Sequence, residues 1–168
     1  MVYNNNRISA IWFFKRTYLN VGVNFHWYSN DFWSFDYGNY RESSFVEFLN
    51  ELQFIPEIEK MAKTALDKTL FYRNLLIPID VARHALLKQP FNSDDLWGNY
   101  HKGVICGLTG DMKSSEYYFN ALLSIEDNYD WANKLKERVL LLKLALNEPE
   151  KFKQDILAII RETRKLKN

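Results

Sequence analysis

The chain has 168 residues, 47 % of them apolar and 26 % charged, with only six Gly and four Pro. These proportions suit a globular chain with a sizeable core and exclude disordered and fibrous classes. A net charge of +1 gives no electrostatic excess for nonspecific binding to nucleic acid or membranes, and the single cysteine, Cys106, excludes an internal disulfide framework.

Three strands are predicted first. Of the 27 aromatic residues, 16 lie in residues 1–55, and large flat rings suit a half-buried pleated surface. The first strand spans about Arg7–Phe14, with Ile8, Ala10, Trp12 and Phe14 on one side and Ile11 and Phe13 on the other. The second spans about Tyr18–Tyr28. There Leu19, Val21, Val23, Phe25 and Trp27 alternate with Asn20, Gly22, Asn24 and His26, the period-two pattern of a half-buried strand. The third spans about Phe32–Tyr40, with Trp33, Phe35 and Tyr37 opposite Ser34, Asp36 and Gly38. Short links at Lys15–Thr17 and Ser29–Asp31 make an antiparallel meander the simplest topology.

Helical spacing follows. Ser43 or Ser44 is positioned to cap a helix with Glu47 as capping-box partner and Phe45, Phe48, Leu49 and Leu52 as its apolar face. Pro56 opens a second helix to about Arg73, burying Ile58, Met61, Ala62, Ala65, Leu66 and Leu70. A break at Leu75–Pro78 precedes a helix near Asp80–Lys88, stopped by Pro90. Ser93 caps a helix over Asp94–Leu108, and Thr109-Gly110-Asp111 forms a turn in which Gly takes the left-handed conformation and Asp caps the next helix. Helices near Met112–Ser124, Asn128–Leu146 and Glu148–Lys165 complete the chain. The expected fold is α+β in a single domain over 1–168: a three-stranded antiparallel meander (1–42), then about six helices packed as antiparallel hairpins (43–168). Arg161, Arg164, Lys165 and Lys167 complement the last helix dipole rather than mark a nucleic-acid site.

Trp97 and Trp131 are 34 residues apart, the tetratricopeptide period. Residues 96–123 resemble one such repeat, with Gly103 in the first helix, Gly110-Asp111 at the turn, and Ser115, Phe119 and Leu122 in the second. Tetratricopeptide-like hairpins are therefore expected from about residue 93.

Catalytic and ligand motifs are absent. The chain has no phosphate-cradling Gly-rich loop, no HExxH, no CxxC and no nucleophile elbow. His101 and Cys106 project about 140° apart on a helix, which argues against a dyad. Cys106 reads as a packed thiol and His84 as a surface residue. His26 shares the polar strand face with Asn24 and, across the sheet, Asp36; two such groups are too few for a metal site. Neither metal nor other cofactor is expected. No segment reaches the ~20 apolar residues of a membrane helix, and Met1–Asn6 lacks the pattern of a signal peptide, so a cytoplasmic location is expected.

An aromatic meander ending near Phe32-Trp33-Ser34-Phe35, then a helix, then helical hairpins, resembles the layout of small bacterial proteins of uncharacterised families, some encoded beside toxins as their immunity partners. The resemblance implies a non-enzymatic protein that binds another protein, a toxin in the immunity case. Two alternatives stand beside it: a tetratricopeptide-like adaptor that holds a peptide, and an enzyme of unknown reaction using His26. The expected partner surface comprises Asn24, His26, Tyr28, Ser34, Asp36 and Tyr40 on the strands, with Trp97 and Tyr100 lining a helical groove.

Overall fold

In a computed structural model, which describes residues 5–10, 16–28, 34–42, 45–90 and 95–166, the chain is α+β and mostly helical. It divides into two compact units, one formed by residues 1–25 with 32–77 and the other by 26–31 with 78–168. The boundary differs from the one that periodicity suggests. The first long helix goes with the strands, and the stretch from His26 goes with the helices.

Among the described residues, the first unit holds five short strands and one helix: β1 (Asn5–Ala10), β2 (Arg16–Thr17), β3 (Leu19–Asn24), β4 (Tyr37–Arg41), β5 (Val46–Glu47) and α1 (Glu51–Leu76). β3 pairs antiparallel with both β1 and β4, while β2 pairs with β5 in a separate ribbon. A plain three-strand meander is not confirmed. The ribbon intervenes, the second strand ends at Asn24, and the β3–β4 register shifts between Gly22 and Val23. The expected strand segments 11–14 and 32–33, both links' residues 15 and 29–31, and the caps Ser43, Ser44 and Ser93 lie outside the described residues. Leu19, Val21 and Val23 are buried, as their alternation requires. Gly22 and Asn24 are buried as well, so β3 is not a half-exposed strand.

The expected helix from Ser43 is corrected. Val46–Glu47 is a strand, and Phe45, Phe48, Leu49 and Leu52 are all exposed. The helix starts at Glu51, where the Asn50 side chain accepts a hydrogen bond from Gln53 N at 3.0 Å. Pro56 does not open a second helix but lies within this one, near its start, where it leaves the Leu52 carbonyl without an i→i−4 donor. Met61 and Ala65 are buried as expected, together with Phe54, Tyr72 and Leu76. Ala62, Leu66 and Leu70 are exposed instead. The buried face packs mainly on β3 and β1, and Tyr72 also packs edge-on to Tyr37 of β4 and leaves no room for a side chain at Gly38, whose φ of 59° also favours glycine.

The second unit holds α2 (Ile79–Lys88), α3 (Leu96–Leu108), α4 (Met112–Ser124), α5 (Asp130–Ala145) and α6 (Pro149–Leu166). Its helices pair as hairpins. Asp95 caps α3 by accepting from Gly98 N at 3.0 Å. Gly110 adopts φ 83° at the turn, and Asp111 caps α4 by accepting from Ser114 N at 3.1 Å, as the Thr-Gly-Asp signature predicts. The α3–α4 crossing is close because the repeat-like residues meet there: Ser115 Oγ donates to Gly103 O at 2.8 Å, and the Phe119 ring lies over Gly103. Gly107 likewise admits the ring of Phe152 from α6. Phe119, Leu122, Leu135, Phe152 and Ile156 fill the core.

Two predictions follow from this packing. Replacing a helical glycine by alanine ordinarily stabilises by about 0.5–1 kcal/mol. At Gly103 the new Cβ would stand 2.5 Å from Phe119 Cδ1, inside a fully buried contact. Overpacking wins, and Gly103→Ala should lower unfolding stability in urea by about 1–3 kcal/mol; an unchanged or raised midpoint would contradict the tight crossing. Hydrogen bonds from Ser114, and secondarily the Arg83 guanidinium, hold the Asp111 carboxyl below its ordinary value of 3.8. A depressed acid contributes stability that is present above the unfolded pKa and lost as pH falls through the folded one. Asp111→Asn should therefore destabilise at neutral pH, with the deficit shrinking below about pH 4 in unfolding curves measured across pH.

Candidate functional site

The stretch His26–Tyr28 is built into the helical unit. The Trp27 indole Nε1 donates to His101 Nδ1 at 2.8 Å, and the Tyr100 hydroxyl donates to the Trp27 carbonyl at 2.7 Å. An indole N–H only donates, so Nδ1 is the acceptor and the imidazole proton resides on Nε2. Thr163 Oγ1 donates to the Tyr28 carbonyl at 3.3 Å. Trp27, Tyr100 and His101 are buried, and burial pushes the Tyr100 phenol far above its ordinary pKa despite the opposing charge of Arg138. These residues are core, not an exposed surface.

Around this core runs an aromatic ladder. Tyr28 meets Trp97 edge-on at 4.5 Å, Trp97 stacks on Trp131 at 6.0 Å with planes 6° apart, and Trp131 stacks in turn on Tyr129. Trp97 and Trp131 are each the second residue of their helices, α3 and α5, and their rings touch one another.

Beside the ladder, α5 and α6 enclose a groove of about 720 Å³. Tyr28 lies at its wall with the Arg138 guanidinium 5.5 Å from the ring centroid. Burial raises the Tyr28 pKa, and the Arg138 charge opposes this. Leu141, Leu144, Ala158 and Ile159 supply apolar lining, and Lys134, Lys151 and Asp155 supply charge. Leu141 and Leu144 are 68 % and 73 % exposed, high values for leucines. Periodicity alone did not single out this groove. The signal that could have found it is the run Leu140-Leu141-Leu142 followed by Leu144 on one helix. Leu135, Val139, Leu142 and Ala145 already form the buried stripe, so the other leucines must face outward.

The strand residues form a different arrangement in the first unit. Asn24 Nδ2 donates to Ser34 Oγ at 2.8 Å and to Asp36 Oδ2 at 2.9 Å. Asp36 also accepts from Phe25 N at 2.6 Å and from Ser34 Oγ at 2.7 Å. This network stabilises the irregular end of β3 by occupying the carboxylate with local donors. Asn24 and His26 are only 5 % and 3 % exposed, so the expected open polar face is not available at those two positions. Tyr40 is half-buried: its hydroxyl donates to Glu42 Oε2 at 2.9 Å, which raises its pKa, and Lys68 Nζ lies 4.6 Å from its ring centroid. Of the eight expected partner residues, the structure gathers Asn24, Ser34 and Asp36 in one network and Tyr28, Trp97 and Tyr100 in one aromatic cluster. Only Tyr28 among them lines the groove.

Cys106 is buried, and burial raises its thiol pKa against the influence of Arg83, so a reactive thiolate is disfavoured. His84 is exposed on α2. Among the described residues no cluster of His, Cys, Asp or Glu is arranged to hold a metal ion, and no helix is long and apolar enough to cross a membrane.

No protein-family model, curated protein or solved structure matches the chain. The geometry therefore has to carry the functional argument. It predicts first that Trp27 is an anchor of the helical unit. Trp27→Phe removes the donor to a buried imidazole and part of a packed ring, and should cost about 2–4 kcal/mol in denaturant unfolding. Adding His101→Leu should recover part of that loss, because the acceptor is then gone; strictly additive effects would count against the pair.

Proposed function

We propose that this chain is a non-enzymatic protein-binding protein whose helical unit captures a segment of another protein in the groove between α5 and α6. The observation that carries the reading is the exposure of Leu141 and Leu144 inside a concave, charge-rimmed groove. Exposed leucines in a groove are the anchor sites that an amphipathic segment fills with its own apolar side chains, as in helix-in-groove recognition. The rim carries Lys134, Arg138 and Lys151 against Glu137 and Asp155, which favours a segment with acidic residues beside its apolar anchors. The adaptor form of the reading gains over the strand-face form because Asn24 and His26 are enclosed. The burial of His26 also weighs against an enzyme built on it. In the immunity case, the captured segment belongs to a toxin.

Selection from a displayed library of random 16-residue peptides tests the proposal. Enriched peptides should carry aliphatic residues three or four positions apart with Asp or Glu nearby. Their affinity should fall about tenfold or more for the double variant Leu141→Asp, Leu144→Asp, since each replaces an apolar contact with a desolvated charge. Equal binding by that variant, or no enrichment over background, would remove the groove as the site.

A further inference from the structure

The helix α1 carries two apolar faces, and only one of them is used inside its own unit. Counting about 100° per residue, the buried Phe54, Met61, Ala65, Tyr72 and Leu76 cluster on one side. Leu52, Ile55, Ala62, Leu66, Leu70 and Ile77 form a second stripe, all within about 40° of the Leu66 direction and all exposed. Leu66 is 56 % exposed and Leu52 91 %. Ile77 continues the stripe because it retains helical geometry, with its N–H donating to Arg73 O at 3.0 Å.

Two charges interrupt this stripe, and their placement identifies the occupant. Glu59 and Arg73 lie on the same line, seven residues either side of Leu66. Both are exposed, and neither has an ion-pair partner among the described residues. The apolar positions obey the same symmetry. Ala62 and Leu70 are four residues either side of Leu66, and Ile55 and Ile77 are eleven either side. When a second α1 is laid antiparallel with its Leu66 on the first, Glu59 meets Arg73 twice, the small Ala62 meets the larger Leu70 twice, and Ile55 meets Ile77 twice. Each of these positions finds a complementary one, while Leu52 extends past the end of the partner's α1. A parallel arrangement in register would set Glu59 against Glu59 and Arg73 against Arg73, which like-charge repulsion opposes.

We infer that the exposed stripe of α1 is a homodimer interface, in which two copies of this chain pair their α1 helices antiparallel about a two-fold axis at Leu66. The contact is isologous, as closed dimers require, and the charges set orientation while the leucines and isoleucines supply burial. This surface is carried by α1 and the groove by α5 and α6, so the inference does not rest on the peptide-binding proposal.

Sedimentation equilibrium over a concentration series tests it. The chain should dimerise. Glu59→Arg alone and Arg73→Glu alone should each raise the dissociation constant about tenfold, because two symmetry-related pairs become repulsive together. The double variant Glu59→Arg, Arg73→Glu should return to the parent value, which also shows that the single variants did not merely misfold. A short bismaleimide should crosslink Leu66→Cys to itself far faster than Ala62→Cys, whose copies stand about 12 Å apart along the axis in this register. A monomer at every concentration, single charge variants that dimerise as the parent does, or crosslinking at Ala62→Cys equal to that at Leu66→Cys would each overturn the inference.

Discussion

Within the helical unit, the positions of several helices depend on how a three-residue stretch is held. Trp27 fills the core with the largest side chain available and also needs an acceptor for its indole N–H; the His101 imidazole of α3 provides one at 2.8 Å. The Trp27 carbonyl, equally enclosed, is satisfied by the Tyr100 hydroxyl one residue earlier on the same helix. A further carbonyl, that of Tyr28, lies 3.3 Å from the Thr163 hydroxyl of α6, which shares its one proton with Ile159 O at 2.9 Å. The buried backbone of an irregular segment is thus paired with side chains in place of a strand neighbour. Each of these groups would carry a desolvation penalty if left alone, so the aromatic cluster and the polar contacts have to form together.

Close helix contacts make that cluster possible. Gly103 and Gly107, four residues apart on α3, receive the rings of Phe119 and Phe152 from α4 and α6. One helix can therefore contact two others closely, and its surface is consumed almost entirely by the core. The helix α5 is the opposite case. It buries one stripe and leaves Leu140, Leu141 and Leu144 outside. In the first unit α1 behaves like α5, with more apolar positions than its own strands can cover. An excess of apolar surface on two helices distinguishes this chain more than any single polar constellation does. The surface a chain leaves uncovered after folding is a physical basis for association.

The polar network at Asn24, Ser34 and Asp36 acts in the other direction. Its donors and acceptors are spent on one another and on the Phe25 N–H, so it stabilises a bend in the chain and offers little to a partner. Residues of the types that recognise ligands are in this case closing the end of a strand, where ladder hydrogen bonds have stopped.

Local chemistry was legible from the amino-acid sequence by itself. The alternation of Leu19, Val21 and Val23, the turn at Thr109-Gly110-Asp111 with its Asp111 cap, and the last five helices among the described residues follow from periodicities and end signals that act within a few residues. The fit of Ser115 and Phe119 to Gly103 was legible in part, because two small residues lie on helices joined by a tight turn and Phe119 follows Ser115 by about one helical turn. Tertiary structure alone decided which of two apolar faces α1 would bury, since Leu66 and Leu70 are as hydrophobic as Met61 and Ala65, and the choice is made where α1 packs on β3 and β1, with Tyr72 edge-on to Tyr37. It also decided that Val46–Glu47 would pair as a strand with Arg16–Thr17, a contact no local pattern specifies. The enclosure of Asn24 and His26 has the same origin: alternation assigns a residue to a face, but whether that face meets water depends on segments distant in the chain.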